Sequence, residues 1–487
     1  MTTNALLSLV LERPHIHSDG WREALVHTDV IEPATGALLY RAGKAGPAEV
    51  AAAAVAAAAG QGAWAATAPR ERAAVLLRAA DLFDKHADEL ALYVARETGG
   101  TLHKGQHEVR EAAAFCRIAA AMPNQPQGQV LPTVPGRLSV ARRVPMGVIG
   151  VISPFNFPLV LTMRVIAPAL AIGNAVLVKP DVRTPVSGGL MIARVLEEAG
   201  LPSGVLHVLP GDATAGEALV TDPHVNMISF TGSTAVGRRI GALAGGLLKK
   251  VSLELGGSNA LVVLDDADLD LAASNAAWGA WLHQGQICMA SNRVLVQSSI
   301  AQALAGRLVA KAGRLPVGDG ATGRVALGPL IDARQRDRVH DLVRRSVDAG
   351  AILLAGGTHD GLFYAPTVLG NVRPGMPCFD QEVFGPVLNL VSFDTDEEAV
   401  ALANHGEGGL AAAVISPSVG RAMALGQRLR AGMVHINDQT INDDGTNPFG
   451  GPGIAGNGNS HGGPADWEAF SSWQWLTIKD TPPAYPI

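Results

Sequence analysis

The chain reads as an α/β protein: a doubly wound, mostly parallel sheet, a second α/β unit after it, and an extended excursion that is either a hairpin arm or a partner-binding strand. Three observations predict this. Short β-rich runs alternate with helical stretches from residue 148 onward, the pattern of βαβ units. The 487 residues exceed what one compact core holds, so several units are expected. Between 123 and 147 a segment with five prolines and the alternating run "RLSVARRV" interrupts the series, as an extended excursion would.

In chain order, Pro47 to Gly99 is predicted helical: an Ala-rich stretch from Glu49 to Ala59, then a run whose apolar residues recur every three to four positions, closing at Gly99–Gly100. After the excursion come "GVIGVIS", a helix from Pro158 to Gly173, "AVLVKP", a helix around 186–200, "VLHVLPG", a helix at 213–221, "MISFTGS" and a helix from Thr234. Strand ends in such a sheet line a ligand crevice. A second alternating series runs from "KKVSLELGGSNALVVLD" to "GMVHIND" at 432–438.

Composition narrows the function. With 48% hydrophobic and 17% charged residues the chain is an ordinary globular sequence. A net charge of −6, with 38 scattered Lys and Arg, indicates neither nucleic-acid binding nor a polybasic membrane patch. Cys116, Cys288 and Cys378 are too few and too dispersed for a disulfide framework or a thiolate metal site. They suggest a reducing compartment. "LLSLVL" near the start lacks a preceding basic residue, and the apolar region 144–180 is broken by prolines, Asn156 and Arg164. A cytoplasmic protein without a membrane span is the expectation.

Several segments could do chemistry, each with a plainer reading beside it. Cys288, in "HQGQICMAS", is either a small core hydrophobe or a nucleophile in a glycine-containing loop. "FTGSTAVGRRI", with Gly232, Ser233 and Gly237, is a strand end, glycine turn and helix start that meets an anion or is only a cap. Lys179 ends an apolar strand, holding a ribose hydroxyl or facing solvent. Glu254, between leucines on a strand, points into a crevice as a general base or into water. Asn156, between Phe155 and Phe157, donates to an oxyanion or caps a turn. Four aspartates in "VVLDDADLDLA" read as a helix start, and no metal site is expected.

Together "PFNFP", "KPDVRTP", "FTGSTAVG", "LELGGSN", "GQICMAS", "EVFGPV" and "NPFGG" resemble the aldehyde dehydrogenase superfamily, in order along almost the whole chain. The resemblance implies an NAD(P)-binding domain (1–123 and 147–251), a catalytic domain (252–438), an oligomerisation arm (124–146 and 468–487) and an active-site loop region (439–467). A homodimer or homotetramer is implied. Cys288 matches the nucleophile, Glu254 the general base and Asn156 the oxyanion donor. Lys179 matches the adenosine ribose lysine; Gly232, Ser233 and Gly237 the pyrophosphate turn and its helix; Glu382 and Phe384 the residues beside the nicotinamide ribose and ring. The implied reaction oxidises an aldehyde to its acid through a cysteine thioester, with NAD as cofactor.

Three departures qualify this likeness. Val182 stands where many members have a ribose-binding Glu, so NADP is admitted too. "PGIAGNGNSHGG" replaces the usual continuation after "NPFGG", and Phe155 replaces a tryptophan. With "KPDVRTP" these features look most like the benzaldehyde-type branch, acting on aromatic aldehydes. Phe155, Leu161, Trp281, Ile287 and Met289 are candidate pocket residues that could equally be core. Arg164 is the one candidate for binding a carboxylated substrate, although a lone helix arginine is more often an ion-pair partner. An aliphatic or semialdehyde dehydrogenase is the alternative, and a catalytically inert nucleotide-binding protein a further one.

Overall fold

A computed structural model of the chain describes residues 5–406 and 409–486. Among these, Val148–Ile152, Ala175–Lys179, Leu206–Val208, Met227–Gly232 and Lys250–Leu255 form five parallel strands. In space they stand in the order fifth, fourth, first, second, third, and His15–His17 with Trp21–Glu23 extend the sheet antiparallel. Period-two alternation explains the near-continuous apolar runs: Ile149 and Val151 pack into one core while Val148 and Ile152 pack into another on the opposite face. The alanine-rich run lies on the latter face, where Ala53, Ala54 and Ala57 let the helix Pro47–Ala66 approach the strands closely.

The order reverses direction at the Val148–Ile152 strand, whose neighbours are the second and fourth strands. Such a switch point opens a crevice at the carboxyl ends. Pairing of Ile152 with Lys179 and Phe230, and of Thr231 with Glu254, fixes which residues reach it. The helix Pro158–Ile172 leaves that crevice and is buried along its entire length. Proline at its first position fits the helix start, and Gly173, at φ 104°, supplies the left-handed stop. Leu159, Ile166 and Leu170 are fully buried on it, so truncating any one to Ala costs about 2–5 kcal/mol.

A second seven-stranded sheet among the described residues is parallel except for Ile352–Ala355 at one edge. From that edge it runs Thr367–Gly370, Val387–Phe393, Arg293–Gln297, Ala260–Val263, Gly409–Ile415 and Ala431–Ile436. The last strand of the first sheet passes into this one through Gly256 and Gly257. Carboxyl ends of the first sheet therefore meet amino ends of the second. The excursion at 123–147 and the C-terminal segment come together: Gly128–Val130 pairs with Leu138–Pro145, which pairs with Ser471–Ile478, all antiparallel.

Some elements differ in detail from expectation. The region Pro47 to Gly99 is three helices, Pro47–Ala66, Pro69–Lys85 and Ala87–Thr98, because Pro69 begins one of them and a turn at His86 separates the last two. The expected helix around 186–200 opens with a wider turn at Val186–Leu190, whose first amides donate to the buried Glu97. Asp268 accepts from the amides of Asp270 and Leu271 at the start of Leu269–Trp281, so the aspartate-rich run begins a helix. No single helix among the described residues is long and apolar enough to cross a membrane.

Candidate active site

The loop bearing Cys288 is shaped by a left-handed turn. His283, Gln284 and Gly285 take φ values of 47°, 55° and 68°. Such values are unfavourable for the first two residues, and buried hydrogen bonds hold the second: Gln284 Nε2 donates to the carbonyls of Gly99 and Pro329 at 2.7 and 2.9 Å. Gly285 admits no side chain, because a Cβ there would lie 2.1 Å from the Gly385 carbonyl oxygen. The turn is thus pressed against the loop that carries Glu382 and Phe384.

Asn259 secures the far side. Its Nδ2 donates to the Cys288 and Ala290 carbonyls at 2.7 and 3.0 Å, while its Oδ1 accepts from the amides of Leu410 and Ala411 at 3.1 and 2.9 Å. One buried amide ties the cysteine loop to the second sheet. Asn156 ties the same loop to the first, its Nδ2 donating to the Gln286 carbonyl at 2.9 Å. An amide nitrogen carries two hydrogens, so one remains for a ligand. The helix after Asn156 is anchored by Glu108, which accepts from the amides of Leu159 and Val160 at 3.0 and 3.1 Å.

Cys288 is half-buried. Burial, with the carboxylates of Glu382 and Glu254 nearby, pushes its thiol up to about 12. Glu254 is buried, and neither carboxylate oxygen has a hydrogen-bond partner. Burial raises its carboxyl well above the ordinary range, against a pull from Arg164 and with a push from Asp443. A raised carboxyl is a stronger base once ionised, so an unpartnered carboxylate here can receive a proton from the thiol beside it. Arg164 itself pairs through Nη2 with Asp443 and lies 4.2 Å from the Phe449 ring centroid and 5.3 Å from that of Phe115.

The crevice of the first sheet fits a dinucleotide. Ser233 precedes the helix Thr234–Gly246 and makes no side-chain cap bond, leaving the first-turn amides available to an anion. Gly237 lets that helix press on the Glu254 strand: a Cβ there would meet Leu255 Cδ2 at 2.4 Å. At Gly232 a Cβ would meet the Phe230 ring at 2.5 Å. Lys179 is half-buried at its strand end, and burial depresses its ammonium against the pull of Asp181 and Asp212. Glu382 is the clearest sign. Burial pushes its carboxyl up to about 7 against Arg338 and the Gly257 amide, its Oε1 has no partner, and Gly256 is required for its approach, since a Cβ there would lie 2.2 Å from Oε2. A buried acceptor of this kind suits a ribose hydroxyl.

An apolar wall surrounds the thiol: Ile287 and Met289 cluster with Leu410, Ala411, Phe449 and Ala455, and Phe157, Met433 and Ile441 pack against them. Phe155 meets Phe384 edge-on with ring centroids 5.9 Å apart. Leu161 is buried one helical turn from Arg164. Trp281 corrects the expectation of a pocket residue. It ends the helix Leu269–Trp281 and packs into the core against the second sheet, with Val294 and Leu388, rather than into the cluster around Cys288. Sequence reading missed Asn259, Leu410, Phe449, Asp443 and Arg338. Asn259 lay inside a quoted motif; Arg338, which donates to the carbonyls of Glu382 and Val383, sits on a helix 44 and 45 residues away, with nothing local to mark it.

The fold and this site define a nucleotide-dependent enzyme with a cysteine at its centre, and comparison with known proteins agrees. Residues 21–476 match the model of the aldehyde dehydrogenase family, and the chain belongs to that family. It is 54% identical over 459 residues to a vanillin dehydrogenase from an Amycolatopsis species, covering 94% of each chain. Over 474 residues it is 47% identical to a benzaldehyde dehydrogenase [NAD(+)] from Pseudomonas putida, covering 97% of each. The crystal structure of betaine aldehyde dehydrogenase from Staphylococcus aureus in complex with NAD+ superposes with a TM-score of 0.95 at 28% identity, covering 99% of this chain and 97% of the other.

Proposed function

We propose that this protein oxidises an aromatic aldehyde to the carboxylic acid with NAD, using Cys288 as nucleophile, Asn156 as oxyanion donor and Glu254 as general base. The observation that carries the reading is a thiol set in an apolar wall beside a buried carboxyl whose oxygens have no partner. Glu254 takes the thiol proton, and the sulfur attacks the aldehyde carbon. The free N–H of the Asn156 amide holds the resulting oxyanion. When bound, the oxidised nicotinamide supplies the acceptor for the hydride that leaves this carbon. A thioester remains on Cys288. Glu254, having released its proton, removes one from a water, the hydroxide adds to the thioester carbonyl, and the acid departs as the sulfur recovers a proton. Lys179, Gly232, Ser233 and Gly237 would hold the dinucleotide, with Glu382 on the nicotinamide ribose and Phe384 beside the ring.

Aromatic substrates are supported by the wall of Ile287, Met289, Leu410 and Phe449, and by the names of the two relatives above. A semialdehyde reading has one observation in its favour, since Arg164 Nη1 is buried without a partner. Pairing with Asp443 cancels that charge locally, which weighs against a substrate carboxylate. Following absorbance at 340 nm with benzaldehyde, hexanal and succinic semialdehyde, each with NAD and with NADP, separates the readings. Benzaldehyde with NAD should turn over fastest; faster hexanal or succinic semialdehyde would overturn the aromatic assignment, and no reduced cofactor with any aldehyde would favour an inert protein.

The three-stranded arm leaves Trp473, Trp475, Leu476 and Ile478 exposed on an edge strand. Unpaired apolar edges favour strand addition, and a homodimer or homotetramer joined through this arm is the state proposed. Light scattering on purified protein measures it, and a monomer would overturn it. Three free cysteines suit a reducing cytoplasm.

A further inference from the structure

Arg183 lies four residues beyond Lys179 in "KPDVRTP", and each of its three guanidinium nitrogens donates to a carboxylate. It grips Asp181 in a two-pronged pair, Nε to Oδ1 at 2.8 Å and Nη2 to Oδ2 at 2.9 Å, and its Nη1 donates to Asp332 Oδ2 at 2.8 Å. Its flat face lies 4.1 Å from the centroid of the Phe155 ring. Asp332 is also the cap of the helix Ala333–Asp348, its Oδ1 accepting from the Gln335 amide at 2.8 Å. Gln335 in turn donates from Nε2 to the Phe384 carbonyl at 2.8 Å, and the Phe384 ring meets Phe155. The contacts close into a ring: Arg183, Asp332, Gln335, Phe384, Phe155 and back to Arg183.

This ring joins parts with separate origins. Phe155 precedes Asn156 on a loop from the first sheet, whereas Phe384 follows Glu382 on a loop of the second. Phe384 holds φ at 54°, a conformation that a bulky side chain keeps only when its surroundings impose it. A single planar cation with donors on several edges can bind two carboxylates and stack on a ring at once; a lysine cannot.

We propose that Arg183 is a positioning residue for hydride transfer, holding the Phe155–Asn156 loop against the Phe384 loop so that carbon and acceptor keep their reacting separation. The inference rests on the proposed function. Displacement by about 1 Å at a reacting centre costs about 100-fold in rate. Arg183→Gln and Arg183→Lys should therefore both lower kcat by about 100-fold, since charge alone does not restore the fork and the stack. With aldehyde deuterated at the formyl carbon, the isotope effect on kcat should rise in both variants, an effect that partial unfolding does not produce.

A second readout needs no aldehyde. In Arg183→Gln, bound NADH should lose its enhanced nicotinamide fluorescence while its calorimetric Kd stays within about threefold of the original. Asp332→Asn, which leaves the Asp181 fork intact, should show the same changes to a smaller degree, and it carries the test if Arg183→Gln does not fold. Wild-type kcat in Arg183→Lys, or unchanged isotope effect and NADH emission in the variants, would overturn the proposal. If the unaltered enzyme turns over no aldehyde, the functional reading fails, and NADH emission still judges Arg183.

Discussion

Three glycines on the helix Thr234–Gly246 form a graded test of how closely that helix lies on the Glu254 strand. Alanine at Gly237 would place its Cβ 2.4 Å from Leu255 Cδ2 and 2.9 Å from Cδ1. Carbon atoms prefer about 3.5–4.0 Å, so the helix must lift or the buried Leu255 side chain must turn aside, by about 1 Å. Alanine is the better helix former by about 1 kcal/mol, but such overpacking costs about 1–3 kcal/mol. The clash wins. At Gly241 the nearest atom, Leu253 Cδ1, is 3.3 Å away, and the two effects should nearly cancel. At Gly245 nothing lies within 4 Å, so the gain of about 1 kcal/mol should survive. Urea midpoints should rank Gly245→Ala above the original protein, Gly241→Ala level with it and Gly237→Ala below. Because the first-turn amides move with the helix, Gly237→Ala should also raise the calorimetric Kd for NAD by about tenfold, or 1.4 kcal/mol. Equal midpoints for all three, or unaltered NAD affinity in Gly237→Ala, would mean that this helix neither presses on Leu255 nor faces the cofactor.

Three further outcomes follow from the site. Asn156→Ala should lower kcat by about 10²–10³ with little change in unfolding midpoint, measured by steady-state kinetics and thermal melts; a loss below tenfold would leave the amide as a loop fastener only. Glu254→Gln should lose steady turnover and also slow the NADH burst followed at 340 nm, since Glu254 receives first the thiol proton and then that of water; a burst at the original rate would leave Glu254 a base for water alone. Its stability effect has a definite sign: burial raises the Glu254 carboxyl, so the contribution of the protonated side chain is complete below the ordinary carboxylate range and fades as pH climbs towards the raised value. The Tm of Glu254→Gln minus that of the original should therefore grow with pH across this window, and an offset independent of pH would refute the assignment. Val182→Glu should lower the NADP-to-NAD efficiency ratio, because a carboxylate beside Lys179 repels a 2′-phosphate; an unchanged ratio would place the ribose elsewhere.

Local signals made much of this architecture readable from the chain. Pro158 and Gly173 bracket a helix whose bounds follow from backbone chemistry, and the alternation in "RLSVARRV" matches the strand Leu138–Pro145. Cys288, Glu254 and Asn156 stood out because each is a polar or reactive side chain in apolar or glycine-rich company. Trp281 could not be placed, since the end of an apolar helix looks alike whether it meets a ligand or a sheet. Asp443 and Arg164 are 279 positions apart, and Arg183 and Asp332 are 149 apart. Pairings over such separations depend on how the two sheets meet, which no window of sequence contains.

The outermost strand of the first sheet, Lys250–Leu255, is covered along its free edge by side chains. Asn457 accepts from the Leu253 amide through Oδ1, and the Nδ2 groups of Asn457 and Asn459 donate to the Val251 carbonyl, with a single backbone bridge between Glu254 and Gly456. Carboxamides there do what a neighbouring strand would do elsewhere. A true strand locks its register, because a slip of one residue turns every side chain over. Closure by two asparagines and one bridge carries no such lock, so the hold on the strand carrying Glu254 rests on the side chains of Asn457 and Asn459 and on the contact at Gly456. Phe449 and Ala455 of the apolar wall lie on this same stretch, so one loop braces both the wall beside Cys288 and the strand bearing Glu254.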